Sequence, residues 1–315
     1  MFLERIKNRI RQHIKLPMIN GYNITWRRLL MMWLYPPTKH NALYHFEGAI
    51  QYNDDMVISI DTTNWVGWNI FCFGFYSVNL INLLKSIVKV GDVVVDVGAN
   101  IGDITLILAN RVGQTGKVYA FEPFPLALEK LQENCRLNNL KNVKALDFAL
   151  SNLSGGSTLY CPRPYTGQLR GVGKTGLTGM STLAKPDEDY MRGVEFLEFG
   201  VTQTTLDEFA NIENLQRVDL IKIDAEGFDY KVIDGGRACI SEFQPYIIFE
   251  YDPVWKTRTG YELGQAFQLL NGYHFYGIVS DSRKLLNRIT EADKFKGGDI
   301  LAVPKNRKRN AFKKD

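Results

Sequence analysis

From residue 90 onward the sequence alternates short apolar runs with longer amphipathic stretches, and this pattern restricts the chain to few folds. Seven apolar runs are candidate strands: 93–97, 117–122, 143–148, 219–224, 246–251, 273–279 and 299–303. The amphipathic stretches between them have the length and periodicity of crossover helices. Short strands that alternate with helices form a parallel sheet covered on both faces. The sequence therefore predicts an α/β fold built on a mostly parallel sheet.

The two ends of the chain differ from its body in charge. Residues 1–35 carry seven Lys/Arg and one Glu, and residues 305–315 carry six Lys/Arg and one Asp. Because the whole chain has a formal net charge of +4, the segment between these ends has a net charge of −7. Nucleic-acid binding requires a continuous basic surface, which an acidic body lacks. No nucleic-acid partner is therefore expected.

Residues 1–85 are predicted to form a basic amphipathic N-terminal helix and a small accessory region. Within residues 2–16, large apolar side chains recur in steps of four and basic residues occupy the other positions. Such a helix can lie on an anionic membrane, although solvated ends or a helix docked on the domain explain the pattern equally well. The uncharged stretch 62–84 contains four Asn and two Gly, which disfavours a membrane span and favours a buried strand and turn leading into a helix. We expect a cytoplasmic protein, with peripheral contact at the inner membrane surface as an open alternative.

Residues 86–304 are predicted to form the main domain, and residues 305–315 a basic tail. Within the main domain, residues 155–203 interrupt the alternation of strands and helices, and five glycines fall between positions 167 and 179. Glycine at this density opposes a stable helix. Long loops inside compact α/β domains are usually binding loops or lids. We therefore expect residues 155–203 to be a Gly-rich substrate loop.

The most informative local pattern is the segment GDVVVDVGANIGDITL at residues 91–106. A strand is predicted to end at Asp96, and a turn with Gly98 and Gly102 leads into a helix, an arrangement that holds nucleotide-like cofactors. The motif is DxGxNxG instead of the GxGxxG of dinucleotide sites, which makes a dinucleotide the weaker choice. Glu122, at the end of the next strand, is placed to accept both ribose hydroxyls. Negative charge at Asp96 suits the ammonium and sulfonium groups of S-adenosylmethionine better than phosphates.

Six segments, in a fixed order and spacing, are shared with a known family: DVGANIG (96–102), FEPFP (121–125), ALSNLSG (149–155), TTLDEF (204–209), IKIDAEGFDYKVIDGG (221–236) and PYIIFEY (245–251). Over about residues 75–255 the chain resembles the FkbM family of S-adenosylmethionine-dependent methyltransferases. The resemblance implies a Rossmann-like, seven-stranded methyltransferase sheet that is mostly parallel, with the last strand antiparallel. It also implies methyl transfer, usually to a hydroxyl oxygen of a sugar or a related natural product.

The resemblance assigns cofactor contacts to residues at three strand ends: Asp96, Gly98, Asn100, Gly102, Glu122, Asp147 and Phe148. The first four would hold the methionine part of S-adenosylmethionine, Glu122 its ribose, and the last two its adenine. Two positions depart from the family pattern. Where members often have a Tyr-Glu pair, this chain reads Phe75-Tyr76-Ser77, and Asp229 stands where members commonly have Glu.

Methyl transfer to an alcohol also requires a group that accepts the hydroxyl proton. Asp224, Glu226 and Glu250 follow the fourth and fifth strands at one edge of the sheet, where clustered carboxylates raise one another's pKa. We predict these three as catalytic residues, with Asp224 as the base and Glu226 as the next candidate. Lys222 is expected to pair with one of the acids. A divalent cation held by the carboxylates is the alternative, although the four Cys and four His have no metal-ligand spacing and no metal site is predicted.

The favoured hypothesis is an S-adenosylmethionine-dependent O-methyltransferase that acts on a hydroxyl of a sugar, a glycan or a related natural product. Two alternatives remain: an N-methyltransferase for a small-molecule or lipid-linked acceptor, and a catalytically silent S-adenosylmethionine-binding protein of the same fold. An oxidoreductase or epimerase is less favoured, because such enzymes have GxGxxG at the first turn, where this chain has DxGxNxG.

Overall fold

The structure is a computed structural model that describes the following parts of the chain: Trp33 and residues 46–53, 55–162, 181–186, 195–281 and 284–306. These residues fall into two compact units, one ending at Tyr76 and the other beginning at Ser77. The predicted boundary was residue 85, so the helix before the first strand of the main sheet joins the larger unit. Three predicted features lie outside the described residues: the basic helix at 2–16, the glycine cluster at 167–179 and the tail from residue 307.

The smaller unit contains a hairpin and a helix. Strand β1 (Glu47–Tyr52) pairs antiparallel with β2 (Met56–Asp61), and helix α1 (Trp65–Phe73) follows. The Asn64 side chain caps α1 by accepting hydrogen bonds from two backbone N–H groups of its first turn. The expectation of a strand at the start of residues 62–84 was wrong, because this cap supplies the partners that a helix start needs.

The larger unit alternates helices and strands. Its elements are α2 (Val78–Ile87), β3 (Val93–Val97), α3 (Asp103–Val112), β4 (Lys117–Phe121), α4 (Pro125–Leu137), β5 (Val143–Leu146), β6 (Phe148–Ser151), β7 (Gly155–Pro162), β8 (Phe196–Thr205), α5 (Leu206–Ile212), β9 (Leu220–Ile223), α6 (Asp229–Asp234), α7 (Arg237–Phe243), β10 (Tyr246–Tyr251), α8 (Val254–Thr259), α9 (Leu263–Leu269), β11 (Tyr273–Asp281), β12 (Lys284–Ile289) and β13 (Gly298–Pro304). A short 3₁₀ turn, Ala292–Lys294, precedes β13.

Eight of these strands form one sheet, in the order β12-β11-β13-β10-β9-β3-β4-β5. From β10 to β5 all neighbours are parallel, whereas β13 runs antiparallel between β10 and β11. The predicted fold, a mostly parallel Rossmann-like sheet with its last strand antiparallel, is confirmed. The eighth strand, β12, lies at the edge and was not predicted. Its pairing with β11 extends the seven-stranded arrangement by one hairpin.

Apolar side chains cover most of both faces of the sheet. Val94 and Val95 in β3 are fully buried and point to opposite sides, as expected for a parallel strand between two layers of helices. On one face the ring of Phe209, from α5, makes edge-to-face contacts with Tyr119 and Phe121 of β4 at centroid distances of 5.3 and 4.7 Å. On the other face Leu131 of α4 is fully buried. Packing on both faces holds the carboxyl ends of β3, β4 and β9 at a common edge.

A second, three-stranded sheet has the order β6-β8-β7, and two of its strands lie at the ends of residues 155–203. Both described ends of that segment are strands: β7 pairs antiparallel with β8 along its full length, and β6 pairs parallel with β8. Burial along β8 alternates between half-buried and exposed, the pattern of a strand with one covered face. The third predicted strand is also shorter than expected, since β5 ends at Leu146 and a new strand starts at Phe148.

No single helix among the described residues is long and apolar enough to cross a membrane. Helices α1 and α2 meet the length and composition criteria only when they are counted together.

The first prediction tests the aromatic contact that joins α5 to the sheet. We expect Phe209→Ala to lower the free energy of unfolding by about 3–5 kcal/mol, because it leaves a cavity against Tyr119 and Phe121. Ile212→Ala on the same helix is the matched control: its side chain is 71% exposed, and we expect a change within about 0.5 kcal/mol. Urea unfolding measures both values. Equal effects of the two substitutions would contradict the proposed core.

Candidate active site

The turn after β3 contains the glycine motif, and it lies against the end of β9. Gly98 and Ala99 both donate backbone N–H groups to the carbonyl of Phe121, each at 3.0 Å. Gly98 has a φ of +70°, and a Cβ atom there would lie 1.9 Å from the carbonyl oxygen of Asp224. Position 98 therefore requires glycine because two strand ends approach closely. The predicted cofactor turn and the predicted catalytic segment are thus in direct contact.

The rest of the turn leads into α3 as the sequence predicted. Asn100 has a φ of +49° and Gly102 a φ of +90°, and α3 begins at the next residue. A Cβ atom at Gly102 would lie 2.5 Å from Cδ1 of Leu131, so α4 also restricts this turn to glycine. The turn therefore presents backbone at the N-terminus of a helix, which is where anionic groups and cofactors bind.

Glu122 joins the turns that follow β3 and β4. Its Oε2 accepts the backbone N–H of Asn100 at 2.8 Å, and its Oε1 accepts that of Phe124 at 2.9 Å. The residue is 7% exposed, and burial raises the pKa of its carboxyl group to about 7, against the lowering effect of these two hydrogen bonds. A carboxylate oxygen can accept more than one hydrogen bond. Glu122 therefore shapes the turn and retains acceptor capacity for a ligand.

Asp96 and Lys222 form a buried ion pair below the turn. Oδ2 of Asp96 accepts the hydroxyl of Thr105 at 2.6 Å, and Oδ1 lies 3.5 Å from Nζ of Lys222. Nζ also lies 3.3 Å from Oδ2 of Asp224 and donates to the carbonyl of Gly98 at 3.3 Å. Lys222 thus contacts both the cofactor turn and a predicted catalytic residue. The predicted pairing of Lys222 with the acids is confirmed.

The charges explain how these groups titrate. Burial raises the pKa of Asp96. The charge of Lys222 and the hydrogen bond from Thr105 lower this pKa, but by less than burial raises it. Burial alone would lower the pKa of Lys222, but the nearby acids Asp224 and Asp96 raise it above its ordinary value. Lys222 is therefore positively charged at neutral pH, and it neutralises part of the acidic edge.

The predicted catalytic acids come together at the carboxyl ends of β9 and β10. Lys222 is in register with Ile248 of β10, so Asp224 and Glu250, each two residues further, face the same side of the sheet. Glu250 pairs across the strands with Asp299 of β13, which adds a further acid to this face. The structure thus brings Asp224 and Glu250 to one edge, next to the turn that contains Glu226.

Burial and mutual repulsion raise the pKa values of these acids. Burial, followed by the charges of Asp224 and Asp229, raises the pKa of Glu250 to about 8. Burial and then Asp224 and Glu250 raise the pKa of Glu226 well above its ordinary value. Burial also raises the pKa of Asp299 to about 6. Carboxyl groups that take up protons near neutral pH are suited to general acid–base chemistry.

The buried carboxyl group of Asp229 supports the acidic edge. It is the first residue of α6, and its carboxylate accepts the backbone N–H of Ala225 at 3.2 Å and that of Glu250 at 3.0 Å. Burial and the charge of Asp224 raise the pKa of Asp229 to about 7. One buried carboxyl group therefore ties the turn after β9 to β10.

Asp147 and Phe148 lie at the carboxyl end of β5, as predicted, but in different environments. Asp147 is exposed between β5 and β6. Phe148 is half-buried at the start of β6 and packs against the main core. Their proposed contacts with adenine stay a prediction, and the exposed Asp147 carboxylate is the freer of the two to reach a ligand.

Sequence reasoning missed the roles of Thr105, Asp299 and Thr182. Thr105 lies nine residues after Asp96, where helical geometry returns its hydroxyl to the strand end. Asp299 precedes an apolar run, and only the register of β13 against β10 shows that it faces Glu250. Thr182 donates to the carbonyl of Glu226 at 2.7 Å from within the long insertion, which no spacing in the sequence predicts. Among the described residues, no group of three or more His, Cys, Asp or Glu is arranged to hold a metal ion.

Comparison with known proteins adds a family match. A family profile described as the methyltransferase FkbM domain matches residues 96–276, more than half of the chain. The chain is similar to methyltransferase 1 of Beauveria bassiana, with 30% identity over 144 residues that cover 45% of this chain and 57% of that protein. It is also similar to methyltransferase sdnD of Sordaria araneosa, with 33% identity over 159 residues that cover 45% of this chain and 59% of that protein. The chain thus spans less than two thirds of the length of these relatives.

Among solved structures, the chain is similar to methyltransferase FkbM from Methylobacillus flagellatus KT. The two are 14% identical, with a TM-score of 0.40, over 68% of this chain and 44% of the other.

The second prediction concerns the stability of the acidic edge. The carboxyl groups of Glu122, Asp229 and Glu250 have pKa values of about 7, 7 and 8 in the folded protein, whereas unfolded carboxyl groups titrate near pH 4. The folded protein therefore binds extra protons near neutral pH, and their stabilising effect is lost as the pH rises through 7 to 8. Between pH 4 and these values, each group costs up to about 1.4 kcal/mol of unfolding free energy per unit rise in pH, and above pH 8 the unfolding free energy levels off.

Urea unfolding between pH 5 and pH 8 tests this expectation. We expect the stability of the wild-type protein to fall over this range, and Glu250→Gln to reduce the fall because the variant lacks one proton-binding group. Glu129→Gln, on the exposed surface of α4, is the control and should retain the wild-type pH dependence. A stability that rises with pH, or no difference between the two variants, would contradict the assignment.

Proposed function

Because the chain belongs to the FkbM methyltransferase family, we propose that it transfers the methyl group of S-adenosylmethionine to a hydroxyl of a sugar, a glycan or a related natural product. One observation supports the proposal above all. The glycine turn after β3 touches the carbonyl of Asp224, so a cofactor held by the turn lies beside the acidic cluster. Donor and proton acceptor are then side by side.

The residues around the turn fit S-adenosylmethionine. Each oxygen of the Glu122 carboxylate accepts one backbone N–H, which leaves acceptor capacity toward the two ribose hydroxyls. Asn100 and Gly102 present backbone at the start of α3 for the methionine part. The surplus of carboxylates over Lys222 at this edge favours a cofactor with ammonium and sulfonium groups over one with phosphates. Asp96 contributes to this charge from below and holds Lys222 and Thr105 in place.

When bound, S-adenosylmethionine supplies an activated methyl group, so the chain must mainly orient the acceptor, exclude water and take up a proton. Glu226 is the proton acceptor in our proposal, because burial beside Asp224 and Glu250 raises its pKa. Asp224 is half-exposed and is held by Lys222 at 3.3 Å, which suits a residue that orients the acceptor. Glu250 completes the cluster, and burial followed by the charge of Asp224 raises the pKa of its carboxyl group to about 8.

The acceptor class is the less constrained part of the proposal. An uncharged hydroxyl of a sugar or a related compound avoids the repulsion that a phosphorylated or carboxylated acceptor would meet at this acidic edge. An N-methyltransferase for an amine acceptor is the second candidate, since carboxylates also attract ammonium groups. Peripheral contact with an anionic membrane stays a prediction from the basic ends, because residues 2–16 and 307–315 lie outside the described residues.

The third prediction tests cofactor binding. S-adenosylhomocysteine at one hundred times its dissociation constant should increase the unfolding free energy by about 2.7 kcal/mol. Glu122→Gln should weaken this effect, because an amide cannot accept at both oxygen positions toward the turn and the ribose. Glu129→Gln is the exposed control. A thermal scan with a shift for NAD and none for S-adenosylhomocysteine would refute cofactor binding of the proposed kind.

The fourth prediction tests the proton acceptor with labelled S-adenosylmethionine and a fractionated extract of the native host. We expect Glu226→Gln to lower turnover by roughly 10²- to 10⁴-fold while the thermal shift with S-adenosylhomocysteine is retained. The wild-type rate should rise with pH through the neutral range, since a carboxyl group with a raised pKa becomes a base only as it loses its proton. Mass analysis of the labelled product identifies a methylated oxygen or nitrogen.

Two variants serve as comparison in the same assay. Asp224→Asn and Glu250→Gln keep the size of the side chains, and we expect a smaller loss from each than from Glu226→Gln. If Asp224→Asn abolishes transfer and Glu226→Gln does not, the role of proton acceptor belongs to Asp224. Methyl transfer that disappears with EDTA and returns with magnesium would replace the proton acceptor by a metal site. No transfer into any fraction would favour a catalytically silent cofactor-binding protein.

A further inference from the structure

A short part of the insertion between β7 and β8, residues 181–186, is attached to the acidic edge. Thr182 is 1% exposed and exchanges two backbone hydrogen bonds with Tyr160 of β7, at 2.8 and 3.0 Å. Its hydroxyl donates to the backbone carbonyl of Glu226 at 2.7 Å and accepts the N–H of Ala184 at 3.0 Å. Because a backbone carbonyl can only accept, the hydroxyl proton is directed at Glu226.

Glu226 occupies an unusual turn. Phe228 donates its N–H to the carbonyl of Ala225 at 3.1 Å, so Glu226 and Gly227 are the central residues of a four-residue turn. Both have positive φ angles, +49° and +90°, as in a type I′ turn. Glycine, Asn and Asp dominate these positions, and Glu at the first of them is strained. Such a conformation persists only where its surroundings hold it.

The Thr182 hydroxyl holds the peptide group between Glu226 and Gly227. Rotation of that peptide would convert the turn to another type and would change the backbone angles that direct the Glu226 side chain. Gly227 is held from the other side, because a Cβ atom there would lie 2.4 Å from the ring of Trp255. The backbone N–H of Ala225 is held by Asp229. The hydroxyl is thus one of three restraints on the turn, and it is the one that comes from the insertion.

A second contact attaches the insertion to α8. Arg258 donates from Nη2 to the carbonyl of Ala184 at 3.0 Å, and its guanidinium group lies 4.8 Å from the centre of the Trp255 ring. Trp255 packs on Gly227. The turn is therefore linked to residue 182 by a hydrogen bond and, through Trp255 and Arg258, to residue 184. We call this set, Thr182, Ala184, Trp255 and Arg258, the clasp.

We propose that Thr182 is a positioning residue for Glu226, through which the insertion controls the carboxyl group that accepts the proton. The inference rests on the proposed function, in which Glu226 contacts the acceptor. Residues 155–203 were predicted to bind the acceptor. Thr182 and Ala184 of the clasp belong to this segment, so the segment also supports the turn that contains Glu226. Selection of the acceptor and alignment of the base then depend on the same segment.

The test compares three variants in the full chain. Thr182→Val keeps the shape of the side chain and removes the hydroxyl, whereas Thr182→Ser keeps the hydroxyl. Ser86→Ala is the matched control, because the Ser86 hydroxyl donates to the backbone carbonyl of Leu83 within α2 at 2.7 Å, away from the clasp. Methyl transfer from labelled S-adenosylmethionine is measured into the host-extract fraction that the wild-type protein labels, as a function of fraction concentration and of pH. The thermal shift with S-adenosylhomocysteine is measured in parallel.

We expect Thr182→Val to lower the maximal rate by roughly 10- to 100-fold, since misplacement of a catalytic group by about 1 Å has effects of this size. The pH profile should shift with it, because a turned Glu226 carboxyl meets different neighbouring charges. The thermal shift with S-adenosylhomocysteine should stay at the wild-type value. Thr182→Ser should restore rate and pH profile, and Ser86→Ala should change neither.

A merely structural role predicts a different result. If Thr182→Val and Ser86→Ala have the same maximal rate and pH profile as the wild-type protein, the inference is wrong while the proposed function stands. If the wild-type protein transfers no methyl group to any fraction, the proposed function and the inference fail together. Should Thr182→Val not fold, Thr182→Ala at low temperature removes the same hydroxyl and is judged by the same two readouts.

Discussion

The buried ammonium group of Lys222 is the contact on which the candidate site depends. It lies in the middle of the sheet within 3.5 Å of Asp96, Asp224 and the carbonyl of Gly98, and it joins β3, the glycine turn and the end of β9. Removal of one partner from a buried ion pair leaves an uncompensated charge, which is strongly destabilising. Lys222, from a central strand, neutralises part of the negative charge at this edge of the sheet. Several acids can therefore lie close together there.

The acidic edge combines charge repulsion, backbone strain and raised pKa values, all of which lower stability. Their presence together indicates a function. Glu250 and Asp299 face each other across β10 and β13, although like charges in that position repel. Glu226 adopts a strained positive φ, and burial raises the pKa of Glu250 to about 8. Strain and perturbed pKa values of this kind cluster at functional sites. The clasp adds support from residues 181–186, where Thr182 contacts the strained turn at Glu226.

Particular elements show where sequence reasoning succeeded and where it failed. The strand at 93–97 was predictable because a parallel strand buried on both faces is a continuous apolar run. The turn after it was predictable because positive φ angles at Gly98 and Gly102 require glycine. Strands β7 and β8 were missed because the glycines between them dominated the interpretation of residues 155–203. The start of α1 was missed although Asn64 is a strong N-cap residue.

The sequence by itself determined the alternation of the parallel strands with helices, the position of the glycine turn and the residue types at the strand ends. These features follow from local chemistry: the period of apolar residues, the freedom of glycine and the place where an apolar run stops. Only the tertiary structure decided which acids meet. The register of β10 against β13 places Glu250 opposite Asp299. A hydrogen bond between residues 44 positions apart in the sequence joins Thr182 to Glu226. The reason is physical, because burial and mutual distance set the pKa of a carboxyl group, and both depend on residues far apart in the chain.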